Sequence, residues 1–244
     1  MRKRADLLLV ERGLAESRSR AAALILAGKV FSGERRIAKA GDLVADEAPL
    51  ELRGQDHPWV SRGGVKLAAA LDHFAVDPAG RICLDVGAST GGFTDVLLSR
   101  AAAKIYAVDV GQGQLAWKLR QDPRVVVLER QNARNLTRRE VPEAPSLVVC
   151  DASFIALATV LSAPLALAAD NAELVALVKP QFEVGRDGVG KGGIVRDAVL
   201  RQAAVDRVAG WLAGEPGWRV VGVMQSPITG AEGNIEYLIA GRRG

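Results

Sequence analysis

Residues 82–95 read Ile82-Cys83-Leu84-Asp85-Val86-Gly87-Ala88-Ser89-Thr90-Gly91-Gly92-Phe93-Thr94-Asp95, and this stretch decides the fold class of the chain. An apolar run that ends in an acid and small residues leads directly into a helix-forming segment. In α/β proteins, this arrangement presents a helix N-terminus to a nucleotide-like cofactor. The stretch therefore predicts a strand, a glycine-rich turn and a helix, with a cofactor bound at the turn.

The glycine spacing in the turn indicates which cofactor it binds. A dinucleotide site has the pattern Gly-x-Gly-x-x-Gly, whose second glycine lets the backbone approach a pyrophosphate, and here Ser89 stands at that position. S-adenosylmethionine has no phosphate, so a turn with three glycines is sufficient to curl around its methionine and ribose parts. We therefore predict S-adenosylmethionine as the cofactor. The predicted turn contacts are Asp85, Gly87, Ala88, Ser89, Gly91, Gly92 and Phe93.

Predicted strands and helices alternate from Trp59 to the end of the chain, which is typical of a doubly wound α/β sheet. The strands are predicted at 82–86, 104–110, 125–129, 147–150, 174–178, 219–224 and 235–240. The helices are predicted at 64–74, 91–102, 114–120, 156–168 and 197–213. The sequence therefore predicts a Rossmann-like sheet of seven strands.

Composition and charge narrow the class of protein. The 244 residues are 49% hydrophobic and 25% charged, which excludes a disordered chain. The longest apolar stretch, 154–169, is shorter than the roughly 20 residues that a bilayer span needs, and no signal peptide is visible. Both cysteines lie in apolar runs that indicate buried strands, so no disulfide framework is expected. We therefore expect a cytoplasmic protein that does not enter a membrane.

Positive charge is concentrated at the N-terminus, where residues 1–39 hold ten Lys and Arg against four Asp and Glu. Helices are predicted at 5–12 and 17–27, followed by a hairpin at 30–37 and an alternating segment at 42–52. The region resembles the S4 RNA-binding domain in the pattern Gly13-Leu14-x-x-Ser17-Arg18-x-x-Ala21-x-x-Leu24-Ile25-x-x-Gly28-x-Val30, with Gly33 in the hairpin. We predict a small α+β S4-like domain at 1–53, a linker at 54–60 and a second domain at 61–244.

Basic side chains in and near this N-terminal domain are candidates for contacts with RNA phosphates, which supply affinity without reading sequence. The candidates are Arg2, Arg4, Arg18, Arg20, Lys29, Arg35 and Arg36, with Arg62 just beyond the linker. A solvated charged surface on a small helical cap is the alternative for each of them. The uneven charge favours a polyanion as the partner.

Two polar residues follow the next predicted strands, where a cofactor would lie. Asp109 ends the second strand, close to the place of an acid that holds ribose hydroxyls. Its alternative role is a helix N-cap. Asn132 follows the third strand, where its amide could meet the adenine edge, and turn formation is the alternative.

The atom that accepts the methyl group of the cofactor is indicated by the segment Val148-Val149-Cys150-Asp151-Ala152-Ser153-Phe154. Asp151 ends the fourth strand at the sheet edge where ligands bind, which makes it a candidate for both the cofactor and the reaction. An enzyme that methylates the amino group of adenine or cytosine would carry Pro-Pro-Tyr after this acid, and that sequence is absent. A cytosine-C5 enzyme needs a loop cysteine, whereas Cys150 lies within the strand with its side chain directed away from that of Asp151, and we predict it to be core.

Four charged residues lie on, or at the ends of, predicted elements of the second domain. Lys66 lies on the helix before the first strand, Asp151 and Lys179 end the fourth and fifth strands, and Glu236 lies in the last predicted strand. Their order resembles the Lys-Asp-Lys-Glu tetrad of 2′-O-ribose methyltransferases.

The wider sequence resembles the TlyA (haemolysin A) family, which pairs an S4 domain with an FtsJ-like methyltransferase domain. The motifs are Ser61-Arg62-Gly63-Gly64-x-Lys66-Leu67, Asp85-x-Gly87-Ala88-Ser89-Thr90-Gly91-Gly92-Phe93-Thr94, Asp109-Val110-Gly111-x-Gly113-Gln114-Leu115 and Val178-Lys179-Pro180-Gln181-Phe182-Glu183. The resemblance implies a methyltransferase sheet whose last pairing is antiparallel.

The activity implied by this resemblance is methylation of cytidine 2′-hydroxyls in ribosomal RNA. By position, Lys179 would deprotonate the hydroxyl or stabilise its alkoxide, while Lys66, Asp151 and Glu236 would hold the substrate and the base in line. Ribosomal RNA or ribosomal subunits would be the partner of a monomer. No metal is expected, because the two cysteines and two histidines lie in unrelated contexts.

A glycine-rich segment at 185–191 matches the phosphate-loop pattern Gly-x4-Gly-Lys, but Gly192 replaces the Ser or Thr that would bind magnesium. We predict instead a mobile loop that closes over RNA, with Arg186 and Lys191 touching phosphates. Two other functions stay open from the sequence: a membrane-active haemolysin-like protein and a ribosome-binding module without catalysis.

Overall fold

A computed structural model describes residues 2–15, 17–52, 57–185, 188–230 and 233–244. Its contacts divide the chain into two units, Met1–Pro58 with Gln114–Gln121, and Trp59–Gly113 with Asp122–Gly244. The limits 1–53, 54–60 and 61–244 stay predictions, since residues 53–56 lie outside the described ranges.

The Met1–Pro58 part of the first unit is built from two helices and short strands around an apolar core. Its elements are β1 (Arg2–Arg4), α1 (Ala5–Glu11), α2 (Arg18–Leu26), β2 (Val30–Ser32), β3 (Arg35–Arg36), β4 (Leu43–Ala45) and β5 (Glu51–Leu52). Ser17 caps α2 by accepting a hydrogen bond from the Arg20 amide at 3.2 Å. Gly28, with a φ of 70°, follows the helix in a left-handed conformation that favours glycine.

Strand pairing in this unit differs from the sequence prediction. The segment 42–52, predicted as one alternating stretch, forms two strands in different sheets: β4 pairs with β1, and β5 pairs with β2. The sequence does not predict β1, because Arg2–Arg4 has three charged side chains and no apolar alternation. Backbone pairing with β4 creates this strand.

The remaining elements follow in chain order. They are α3 (Gly63–His73), β6 (Ile82–Val86), α4 (Gly92–Ser99), β7 (Lys104–Val108), α5 (Trp117–Arg120), β8 (Val125–Leu128), a 3-10 helix (Ala133–Asn135), β9 (Leu147–Cys150), α6 (Leu157–Leu167), β10 (Glu173–Val178), α7 (Pro180–Glu183), α8 (Ala198–Gly214), β11 (Trp218–Gln225) and β12 (Tyr237–Arg243). The predicted segments agree with these elements to within a few residues, with two additions, the 3-10 helix and α7.

Seven strands form one mixed sheet in the order β11-β12-β10-β9-β6-β7-β8. The strands from β10 to β8 run parallel, and β12 pairs antiparallel with both β10 and β11. This arrangement confirms the α/β class, the number of strands and the antiparallel last pairing. Glu236 is a correction, because it lies one residue before β12 and not within the last strand.

Each face of the sheet has its own apolar core. Cys83, Val149 and Leu177 point to the face covered by α3 and α4, and their neighbours Leu84, Val148 and Val178 point to the face covered by α6 and α8. A parallel sheet that is covered on both faces needs apolar residues at successive positions, which explains the continuous apolar runs of β9 and β10. The two helical layers leave the carboxyl ends of the parallel strands as the edge where polar residues gather.

Candidate active site

The glycine-rich turn between β6 and α4 is held by backbone contacts at the carboxyl edge of the sheet. Gly87, Ser89 and Gly91 all have positive φ angles, of 80°, 48° and 97°. The amides of Gly87 and Ala88 donate to the Val108 carbonyl at 2.9 and 3.1 Å, which fixes the turn to the end of β7. A Cβ at Gly87 would lie 3.0 Å from the backbone of Ala152, so glycine is required where the turn passes the loop after β9.

Asp85 is a fully buried acid directly before this turn. The Thr94 hydroxyl donates to its Oδ2 at 2.6 Å, whereas Oδ1 is buried without a hydrogen-bond partner among the residues that the structure describes. Burial raises the pKa of Asp85 to about 7, an effect that the hydrogen bond from Thr94 only partly offsets. The site therefore contains an acceptor oxygen that a ligand donor could satisfy.

Asp109 and Asn132 lie at the ends of the next two strands, as predicted, and both shape the backbone. Asp109 accepts the Ser89 amide at 2.8 Å on Oδ2 and the Gly111 amide at 2.7 Å on Oδ1, so it ties the turn to the end of β7. Asn132 Oδ1 accepts the Arg134 amide at 3.1 Å and caps the 3-10 helix. The turn-forming alternative therefore holds for Asn132, and contacts of both residues with adenosine stay predictions.

Lys179 and Asp151 form a half-buried ion pair at the ends of β10 and β9. Lys179 Nζ lies 2.7 Å from Asp151 Oδ1 and donates hydrogen bonds to Ser153 Oγ at 2.8 Å and to the Asp151 carbonyl at 3.4 Å. The lysine is 9% exposed. Three oxygens therefore hold the amine at the same sheet edge as the glycine-rich turn.

Lys66 and Glu236 form a second ion pair, and this pair is buried. Lys66 Nζ donates to Glu236 Oε2 at 2.5 Å, and the side chains are 9% and 3% exposed. A Cβ at Gly230 would lie 3.0 Å from the Glu236 carboxyl carbon, so glycine leaves space for the acid. Each lysine is neutralised by one carboxylate, which lets both amines sit at low exposure.

The start of α3 brings the two pairs to one side of the sheet. A Cβ on Gly63 would lie 3.4 Å from Asp151 Oδ2, and a Cβ on Gly92 would lie 3.0 Å from the Gly64 amide nitrogen. The Ser61–Gly64 segment therefore packs against both the beginning of α4 and Asp151. Lys66 follows on the next turn of the same helix.

Several residues near these pairs were not predicted. Ser153 holds Lys179, and the buried Glu183 accepts the Leu157 amide at 2.9 Å, which joins α7 to the start of α6. Phe154 is 89% exposed, has a φ of 65°, and packs its ring 5.1 Å from that of Phe182. The signal was available in part, because all four residues lie in the two motifs that contain Asp151 and Lys179.

Cys150 and Cys83 lie in the core. Both are fully buried, and burial raises the pKa of each thiol to about 12. Neither thiol offers a thiolate nucleophile at neutral pH, so the geometry does not suit cytosine-C5 chemistry. Within the described ranges, no three His, Cys, Asp or Glu side chains are arranged to hold a metal ion.

The predicted RNA contacts lie mainly at the surface. Exposed side chains are those of Arg2, Arg4, Arg18, Arg20, Arg35, Arg36, Arg62 and Lys191, whereas Lys29 is partly buried. Arg186 lies outside the described residues. The structure describes residues 188–194 as a turn closed by a bridge between Gly190 and Ile194, and the buried Asn234 donates to the Gly193 carbonyl at 2.8 Å. Mobility of the segment stays a prediction.

Comparisons with known proteins agree with both units. A family model for FtsJ-like methyltransferases matches residues 59–243, and one for S4 domains matches residues 3–48. The chain is 54% identical to the 16S/23S rRNA (cytidine-2′-O)-methyltransferase TlyA of Mycobacterium tuberculosis, over 98% of this chain and 89% of that protein. It is 42% identical to Hemolysin A of Brachyspira hyodysenteriae, over 96% of this chain and 98% of that protein.

A solved structure also covers almost the whole chain. A Streptococcus thermophilus protein, provisionally described as a hemolysin, shares 41% identity and has a TM-score of 0.76, covering 99% of this chain and 88% of its own. Among the described residues, no helix is long and apolar enough to cross a membrane.

Proposed function

This chain belongs to the TlyA family of methyltransferases with an S4 domain and an FtsJ-like domain, and from this premise we propose how it methylates RNA. The reaction is S-adenosylmethionine-dependent methylation of the 2′-hydroxyl of cytidine in ribosomal RNA. The observation that carries the proposal is the pair of lysine–carboxylate contacts, Lys179 with Asp151 and Lys66 with Glu236, at the carboxyl edge of the sheet.

S-adenosylmethionine fits the residues around the glycine-rich turn. The left-handed conformations at Gly87 and Gly91 curve the backbone, and the N-terminus of α4 presents amides that suit a carboxylate. Among the described residues, Asp85 Oδ1 is a buried acceptor that lacks a donor, as the ammonium of a methionine group would supply. When bound, this cofactor supplies an electrophilic methyl group on a sulfonium. We assign cofactor binding to Asp85, Gly87, Ala88, Ser89, Gly91, Gly92, Phe93, Asp109, Asn132 and Asp151.

Lys179 handles the proton in this proposal. To act as the base, the Lys179 ammonium first releases a proton to solvent, and the neutral Nζ then accepts the proton of the 2′-hydroxyl. As an ammonium, Nζ instead stabilises the alkoxide. Asp151 and Ser153 hold Nζ in place. A positioned base contributes about 10²–10⁴-fold to a reaction rate. Lys66 and Glu236 neutralise each other, so this pair can contact the ribose without adding net charge.

Ribosomal RNA is the partner, and we propose that the chain acts as a monomer in the cytoplasm. Exposed arginines of the S4 domain supply contacts with phosphates that do not depend on sequence. The two lysine–carboxylate ion pairs, one buried and one half-buried, favour an enzyme over a binding-only module, and the haemolysin-like alternative is not favoured.

The test is the rate of methyl transfer from labelled S-adenosylmethionine to ribosomal subunits by the Lys179→Ala variant. We expect a loss of at least about 100-fold with RNA affinity unchanged, because the change removes the proton-handling group. The matched control is Lys104→Ala, since Lys104 also pairs with an acid, Glu143, but lies at the amino end of β7. Equal rates for Lys179→Ala and the wild type would refute the assignment.

A further inference from the structure

Asp6 is a buried acid in the first unit, at the start of α1. It is 3% exposed and receives five hydrogen bonds. Arg4 donates from Nε at 2.9 Å and from Nη2 at 3.0 Å, and the Leu7 amide donates at 3.0 Å. Arg18 donates from Nε at 3.3 Å and from Nη2 at 3.1 Å. One carboxylate therefore ties the start of α1 to the first residue of α2.

The two guanidinium groups converge on the same atom. Nη2 of Arg4 and Nη2 of Arg18 both donate to Asp6 Oδ2. Each guanidinium has five N–H donors, and Asp6 engages two of them on each arginine. The side chains of Arg4 and Arg18 are 46% and 60% exposed, so both are accessible from solvent.

This arrangement favours the ionised form of Asp6. Hydrogen bonds from Arg4, together with those from Arg18, lower the pKa of Asp6 to about 2. Two arginines and one aspartate leave one net positive charge at the cluster. A carboxylate that orients two guanidiniums also limits their rotamers, which reduces the entropy lost when they bind an anion.

Other basic side chains of this unit are engaged differently. Lys3 pairs with Glu11 at 2.8 Å and with Asp46 at 3.4 Å, and Arg12 donates to the carbonyl oxygens of Ala48 and Asp46. In those contacts, the basic groups bind acceptor atoms of the protein itself. At Asp6, by contrast, two guanidiniums are fixed side by side and partly exposed.

We propose that Asp6 is a positioning residue, which aligns the guanidiniums of Arg4 and Arg18, two of the predicted phosphate contacts, on one and the same phosphate group. Guanidinium groups bind phosphate oxygens in bidentate geometry, and two aligned groups can hold one phosphate from adjacent sides. The site rests on the proposed function only in taking this phosphate from the ribosomal RNA backbone.

The substitution Asp6→Asn distinguishes a positioning role from a purely electrostatic effect, because the two explanations predict opposite changes in RNA affinity. Removing one negative charge adds net positive charge, so unspecific attraction to RNA would strengthen binding. Loss of alignment would instead weaken it. The matched control is Asp46→Asn, which makes the same charge change in the same unit at an acid that contacts Lys3.

The experiment measures binding of the full-length chain to a fluorescently labelled ribosomal RNA transcript across a salt series. We expect Asp6→Asn to weaken binding by about 10-fold and to lower the salt slope, because fewer phosphate contacts release fewer counterions. Asp46→Asn should bind as the wild type or more tightly. Wild-type or tighter binding by Asp6→Asn would overturn the proposal.

Two further variants keep the test valid if Asp6→Asn does not fold. Arg4→Lys and Arg18→Lys retain the charge but lose the planar fork, so each should weaken binding severalfold. Wild-type affinity in both would also overturn the proposal. In methyl transfer, we expect these variants to raise KM for RNA and to keep kcat. This binding comparison remains valid even if the wild-type chain transfers no methyl group, so failure of the proposed function is seen separately.

Discussion

Asp6 and Asp85 are buried aspartates in different units, and their surroundings move their pKa values in opposite directions. Asp6 accepts from two guanidiniums, and its pKa falls to about 2. Asp85 accepts from one neutral hydroxyl, and burial raises its pKa to about 7. The comparison shows that the charge of the donors, and not burial alone, decides the state of an acid in this protein.

The same difference separates the functions that we assign to the two units. In the S4 domain, the always-charged side chains of Arg4 and Arg18 lie partly exposed around Asp6. This arrangement suits the binding of a polyanion. At the candidate active site of the methyltransferase domain, the cations are Lys66 and Lys179, and each is paired with one carboxylate at low exposure. The first arrangement serves binding, and the second holds an amine where a proton can be exchanged.

Breaking a lysine–carboxylate pair in the interior should have the largest effect. Glu236→Gln leaves the buried Lys66 ammonium without its counter-charge, and we expect the free energy of unfolding to fall by about 3–5 kcal/mol. Methyl transfer should also be lost. Urea unfolding measures the first effect, with Glu143→Gln, which breaks the exposed pair with Lys104, as a control that should change little. A Glu236→Gln protein as stable as the wild type would contradict the account.

Replacing Asp85 by asparagine should alter the pH dependence of the free energy of unfolding. The folded pKa of Asp85, about 7, exceeds its usual value of 3.8, so its contribution is complete below about pH 4 and is lost as the pH rises through 7. We therefore expect the wild type to lose, relative to Asp85→Asn, on the order of 4 kcal/mol between pH 4 and pH 8. Unfolding free energies at the two pH values test this. Parallel curves for both proteins would show that Asp85 is ionised throughout.

Replacing Lys179 by arginine distinguishes the two roles proposed for this residue, base and stabiliser of the alkoxide. Lys179→Arg keeps the positive charge, but an arginine does not release its proton at accessible pH. If Lys179 acts as the base, the methyl-transfer rate should fall by about 100-fold or more, with RNA affinity unchanged. Retention of most of the activity would instead assign Lys179 to stabilising the alkoxide.

The smallest effect is expected from lowering the pH until Asp6 becomes protonated. Its lowered pKa stabilises the folded S4 domain above about pH 4, and this stabilisation is lost as the pH falls toward 2. Amide hydrogen exchange in α1 and α2, measured relative to the intrinsic exchange rate at each pH, should therefore increase over this range in the wild type. In Asp6→Asn the increase should be smaller, and a change of equal size would show that other acids dominate.

The sequence was sufficient where local pattern and chain order determine the structure. The stretch 82–95 predicted β6, the turn and α4, and alternation predicted the other six strands of the sheet. Asp151 and Lys179 could be identified because parallel strands end at one edge. Lys66 and Glu236 were identified by resemblance to the Lys-Asp-Lys-Glu tetrad of 2′-O-ribose methyltransferases. Position along the chain then brings Asp151 and Lys179 together, as neighbouring strands β9 and β10 carry them.

Features that depend on contacts between distant segments could not be predicted. Strand β1 exists through its pairing with β4, and Asp6 gains Arg18 as a partner only when α1 packs beside α2. Asn234 joins the turn at 188–194 to the segment that carries Glu236, a contact across 41 residues. No periodicity of hydrophobic residues records such pairings.

The central claim is that the acceptor is a ribose hydroxyl, and the identity of the methylated nucleoside tests it most directly. Ribosomal RNA incubated with the protein and S-adenosylmethionine would be digested to nucleosides and analysed by mass spectrometry, with Lys179→Ala and Lys104→Ala in parallel. We predict 2′-O-methylcytidine from the wild type and Lys104→Ala, and none from Lys179→Ala. A methyl group on a base, or 2′-O-methylcytidine from all three proteins, would contradict the account.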